Sequence, residues 1–90
     1  VIRTFRDKAI KAFFHAHDAR GLSVQNTARV RRILLALDAA TKPEHLNLPG
    51  YYFHALQGAE RWSVRVTGNW RITFGWDGAD ALDVDMEDYH

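Results

Sequence analysis

The sequence predicts an α+β domain: an N-terminal αα-hairpin packed on one face of a twisted, mainly antiparallel β-sheet. Two observations carry this. Apolar residues recur with a period near 3.6 in the first half of the chain and with a period of 2 in the second. The alternating strands have one apolar and one polar face, so the apolar face needs a cover that only the helices can supply. With 90 residues there is room for one core, and residues 1–90 are expected to form a single domain.

In chain order, Val1–Phe5 carries β-branched and aromatic residues and reads as a short strand. Asp7 caps a helix from Lys8 to about His17, whose Ile10, Phe13 and Phe14 fall on one side; Gly21 ends this stretch. Ser23 caps a second helix running to about Ala40, with Val30, Ile33, Leu34 and Leu37 as its apolar stripe and Arg29, Arg31 and Arg32 on its outside. Thr41-Lys42-Pro43 stops it, since the residue before proline disfavours helix. Pro43–Gly50 is a loop with room for one helical turn. Tyr51–Leu56 is a strand. Trp62, Val64 and Val66 then alternate with Ser63, Arg65 and Thr67. Trp70, Ile72, Phe74 and Trp76 alternate with Arg71, Thr73 and Gly75, and Leu82, Val84 and Met86 with Asp83 and Asp85. A three-residue Thr67-Gly68-Asn69 loop pairs Val64 with Ile72 and Val66 with Trp70, which keeps apolar side chains together. Asp77-Gly78 reads as the next hairpin turn.

Composition narrows the function classes. The hydrophobic fraction of 47% is too high for a disordered chain. No apolar run approaches the ~20 residues needed to span a bilayer, and Val1–Ala12 does not look like a signal peptide, so no membrane association is expected. There is no cysteine, hence no disulfide or thiolate metal site, which fits a reducing compartment. Net charge is only +1, but residues 1–42 hold nine of the twelve Lys and Arg, and six of the eleven carboxylates lie from Asp77 onward. Such polarity suits a side that faces a polyanion, or it is uneven scatter of surface charge.

The candidate chemistry sits on the polar face. Parity puts Arg65 and Arg71 there, Arg61 lies just before Trp62, and His54 is on the preceding strand. Asp88, Tyr89 and His90 follow the last strand and are placed to fold back onto the same surface. Guanidinium groups, imidazoles, a phenol and carboxylates suit RNA cleavage without metal. The 2′-hydroxyl must lose a proton, the 5′-oxygen must gain one, and charge on the phosphate must be stabilised. No cofactor or metal site is expected; His15 and His17 do not share a helix face, and the acidic run matches no calcium loop. A strand arginine or a lone histidine is also common as a plain surface residue.

Asn69-Trp70-Arg71-Ile72-Thr73-Phe74 closely resembles a segment of HigB-type toxins in the RelE/ParE superfamily. The resemblance extends over Ile2-Arg3-Thr4-Phe5, Leu37-Asp38-Ala39-Ala40-Thr41, Leu48-Pro49-Gly50-Tyr51, His54, Trp62-Ser63-Val64 and Glu87-Asp88-Tyr89-His90, and so runs from end to end. It implies a RelE-like fold and the toxin of a type II toxin–antitoxin system, a metal-independent mRNA interferase of the bacterial cytoplasm. It further implies a cognate HigA-like helix-turn-helix antitoxin, action on mRNA at the 70S ribosome, and contact with operator DNA only through the antitoxin complex. The family's catalytic positions fall on His54, Arg71, Asp88, Tyr89 and His90, with Arg71 on the phosphate and the others as acid/base and orienting groups. Arg61, Arg65 and Gln57 are candidate substrate contacts. Two departures stand out. Gln57 replaces a frequent lysine, and the 57–61 loop is shorter than in many relatives, so Arg61 is expected to compensate. A gyrase-inhibiting poison of ParE type and an inactive RNA- or partner-binding relative are the competing readings, because this fold serves more than one function.

Overall fold

A computed structural model describes residues 1–88; Tyr89 and His90 lie outside the described residues. The elements are helix α1 (Lys8–Ala16), helix α2 (Thr27–Ala39), a 3-10 turn (Pro43–Leu46), and strands β1 (His54–Leu56), β2 (Arg61–Thr67), β3 (Trp70–Asp77) and β4 (Asp80–Asp88). The strands form one antiparallel meander in the order β1-β2-β3-β4. The helices lie on its apolar face, giving the expected α+β arrangement. Ile10 and Phe13 of α1, and Val30, Ile33, Leu34 and Leu37 of α2, meet Val64, Ile72, Phe74, Ala81, Val84 and Met86 of the sheet in one buried cluster. Burial of each large aliphatic side chain in it stabilises the fold by about 1.5–3 kcal/mol.

Both helices start and stop for local reasons. The Asp7 carboxylate accepts from the Ala9 N–H at 2.7 Å, as expected of an N-cap. α1 ends at Ala16 with His17 as its C-cap, where the sequence places its end. His17 takes a left-handed φ of 57° and donates its N–H to the Phe13 carbonyl. α2 begins later than expected, with Asn26 rather than Ser23 as its cap; the Asn26 side chain accepts from the Arg29 N–H. Val24 supplies the reason. A helix continued back to Ser23 would place Val24 about 120° from Val30, off the apolar stripe. An unwound linker lets Val24 be buried instead.

Two bulges correct the strand registers. Thr67 pairs with Trp70 across a two-residue Gly68-Asn69 turn, not the three-residue loop expected. Val66 is the extra residue of a bulge, which restores the expected Val64–Ile72 pair and keeps Val66 itself buried. The second bulge lies at Asp83, whose φ is 49°. It reverses the parity of β4, so Ala81 takes the core position and Leu82, expected there, pairs with Gly75 on the other face. The chain from Val1 to Arg6 runs parallel to this bulged strand, with bridges Ile2–Ala81 and Phe5–Val84 instead of a regular strand. Ile2 is also tied to α2, donating its N–H to Asp38 at 2.9 Å.

This edge explains part of the charge asymmetry. Arg3 pairs with Asp77 (3.0 Å) and Asp80 (3.3 Å), and Arg6 with Asp83 (3.7 Å). The basic start of the chain and the acidic hairpin thus face each other. These pairs are exposed and each contributes at most about 1 kcal/mol.

Candidate active site

The open face of the sheet is built from rows of cross-strand neighbours. His54, Ser63, Thr73 and Asp85 form one row, and Arg65, Arg71 and Glu87 the next. Tyr52, His54, Leu56, Ser63, Arg65 and Arg71 line a cleft of about 390 Å³. Three of the residues expected from the sequence therefore converge there: His54, Arg65 and Arg71.

The wall before His54 is not strand. Tyr51 donates its N–H to the Leu48 carbonyl, and Tyr52 adopts a left-handed φ of 51°, so β1 begins only at His54 rather than at Tyr51. Arg29 of α2 holds this wall in place. Its Nη2 donates to the carbonyls of Gly50 (2.7 Å) and Arg65 (2.8 Å), and its guanidinium lies 5.3 Å from the centre of the Tyr51 ring. The Arg65 N–H in turn donates to the Tyr51 carbonyl at 2.7 Å. Arg29, expected on the outside of its helix, is thus a clamp between helix, loop and sheet.

Arg65 donates from Nε to the Gly68 carbonyl (3.2 Å) and lays its guanidinium 5.4 Å from the centre of the Tyr52 ring. Arg71 stands between Arg65 on β2 and Glu87 on β4. Arg61 is directed elsewhere. Its Nη2 donates to Thr73 Oγ1 and to the Asp83 carbonyl, both at 2.9 Å, and the Thr73 hydroxyl donates to Glu87 in a short bond. Burial lowers the Arg61 pKa and nearby Arg6 adds to this, while Glu87, Asp83 and Asp85 act in the opposite sense. Gln57 lies exposed in the turn between β1 and β2. Neither Arg61 nor Gln57 lines the cleft.

Asp88 is the last residue of β4, opposite Trp70 and one position beyond the Arg71–Glu87 pair. The fold-back expected of Asp88, Tyr89 and His90 falls on Tyr89 and His90, outside the described residues. Among the described residues no group of three or more His, Asp or Glu is gathered that would hold a metal ion.

The sequence reading missed Tyr52, Ser63, Glu87 and Arg29. Strand parity held the signal for Ser63, which shares a face with Arg65; Tyr52 lies before β1 on a left-handed backbone, outside any strand alternation. Glu87 depends on the β4 register and Arg29 on tertiary packing, which no local pattern announces.

A cleft with two guanidinium groups and an imidazole is suited to binding a phosphodiester and moving a proton beside it. The profile of the HigB-like toxin family, RelE-like toxins of type II toxin–antitoxin systems, matches residues 3–90. The chain belongs to this family. A curated relative, "Endoribonuclease HigB" of Proteus vulgaris, is 37% identical over 92 aligned residues, spanning 100% of both chains. As a HigB-family toxin the protein has an antitoxin partner. Among its described residues no helix is long and apolar enough to cross a membrane.

Proposed function

We propose that this HigB-family toxin is an endoribonuclease that cuts mRNA on the ribosome in the bacterial cytoplasm. Its relative's name supports RNA cleavage. The observation that carries the reading is the convergence of His54, Arg65 and Arg71 on one cleft. In the proposed reaction a base removes the proton of a 2′-hydroxyl, the oxygen attacks the adjacent phosphorus, and the 5′-oxygen leaves with a proton from an acid. His54 and the Asp88-Tyr89-His90 ending supply the acid/base and orienting groups, each such proton transfer contributing about 10²–10⁴-fold. Arg71 and Arg65 stabilise the phosphate charge with planar donors. The reaction uses no metal or cofactor. A helix-turn-helix antitoxin of HigA type neutralises the toxin, and operator DNA is met only through that complex.

Induction of the wild type and of Arg71→Ala in bacteria, with growth followed and mRNA ends mapped by primer extension, tests this. The expected result is growth arrest with new cuts inside translated frames, reduced by roughly 10²–10³-fold in the variant, the usual cost of one preorganised oxyanion donor. Arrest without cuts identifies a poison of gyrase-inhibiting type, and no arrest identifies an inactive relative.

A further inference from the structure

Tyr52 is a large aromatic residue that is 65% exposed, on a backbone (φ 51°) that bulky side chains rarely adopt. Such conformations persist where the surroundings enforce them, and they gather at ligand-binding sites. Here the enforcement is visible. Tyr51, the preceding residue, is fixed by the Arg29 guanidinium and by the Arg65 N–H, so the chain is anchored just before the kink. The kink presents the Tyr52 ring to the cleft that His54 and Arg71 also line. Arg65 rests on this ring while its Nε is held by Gly68, which fixes ring and guanidinium relative to each other. A solvent-exposed ring backed by a planar cation, beside the Arg65–Arg71 pair that the proposed function assigns to phosphate, has the makings of a stacking platform.

We propose that Tyr52 stacks a nucleobase of single-stranded RNA, the base of a nucleotide next to the cleaved phosphate. The inference rests on the RNA-cutting reading for its ligand class. The ring face is what matters, so the subsite tolerates any base and contributes binding rather than proton transfer. The Tyr52 hydroxyl is dispensable, and the two sides of the scissile bond are held differently: the phosphate by Arg71 and Arg65, the adjacent base by Tyr52.

The test uses the full chain and 2′-O-methyl RNA hexamers carrying 2-aminopurine at each position in turn. These probes cannot be cut, because the attacking hydroxyl is blocked. Wild type and Tyr52→Phe should quench 2-aminopurine at one position. Tyr52→Asn removes the ring, and asparagine accepts left-handed backbone, so the variant should fold, as thermal melting will show. Its affinity for the hexamers should fall about 5- to 150-fold, and in cleavage of unblocked RNA the loss should appear in KM more than in kcat. Wild-type affinity or quenching in a folded Tyr52→Asn, or no quenching by wild type at any position, overturns the proposal. Stacking by a wild type that leaves unblocked RNA intact would uphold the platform while removing the nuclease reading. Cleavage with no difference between wild type and Tyr52→Asn does the reverse.

Discussion

Arg65 and Arg71 stand directly opposite each other on β2 and β3, two like charges in one cross-strand pair. Such pairs oppose sheet formation by up to about 1 kcal/mol. Glu87, across from Arg71 on its other side, offsets part of this, and a bound phosphate would offset more. In the proposed function this pair is the phosphate site, and that role has a direct test. Replacing Arg65 with Ala should weaken binding of uncleavable single-stranded RNA and lower the slope of log K against log salt by about 0.7, one phosphate contact's share. Titrations at several salt concentrations read this directly. An unchanged slope would remove Arg65 from the phosphate site.

His54 lies at the edge of the same cleft, opposite Ser63 in the register of β1 and β2. It is exposed, so its replacement leaves no buried polar atom without a partner. His54→Ala should therefore melt close to wild type and lose about 10²–10⁴-fold in the single-turnover cleavage rate. Cleavage at the wild-type rate would assign the proton transfers to other groups.

Arg29→Met should loosen the cleft wall from behind. The substitution keeps much of the aliphatic stem but leaves the Gly50 and Arg65 carbonyls without their charged donor. A loss of about 1.5–3 kcal/mol of stability is expected, measurable by urea unfolding. Cleavage should fall as well, since the Tyr52 and Arg65 positions depend on this clamp. Arg29→Lys should recover only part of either, because an ammonium lacks the planar fork that spans two carbonyls.

Much of this architecture was legible from periodicity. The change from a 3.6 to a 2 residue period located both helices and the three long strands, and parity put Arg65 and Arg71 on one face. The failures have a common cause, namely positions where tertiary contacts override a local pattern. Val24 unwinds the start of α2 to reach the core, Tyr52 breaks the predicted Tyr51–Leu56 strand under the pull of Arg29 and Arg65, and the Asp83 bulge flips Leu82 to accommodate the N-terminal segment. Arg31 shows the same effect on charge. It looks like a free basic residue on a helix, yet it packs 4.9 Å from the centre of the Phe13 ring and contacts His17.

Arg61 separates a phosphate contact from a structural one. Its position just before Trp62, and the absence of the usual lysine at Gln57, suggested a compensating substrate arginine. Its guanidinium instead ties β2 to Thr73 and to the carbonyl of Asp83, and Thr73 passes the connection to Glu87 beside Arg71. Arg61→Ala removes a charged donor from a partly buried network, so stability should fall by about 1.5–3 kcal/mol. Cleavage should fall too, but through misplacement of Glu87 and Arg71. The salt dependence of RNA binding tells the two roles apart. A structural Arg61 leaves the slope at the wild-type value when affinity drops, whereas a direct phosphate ligand lowers it by about 0.7, as expected for Arg65. A lowered slope with unchanged melting would return Arg61 to the substrate.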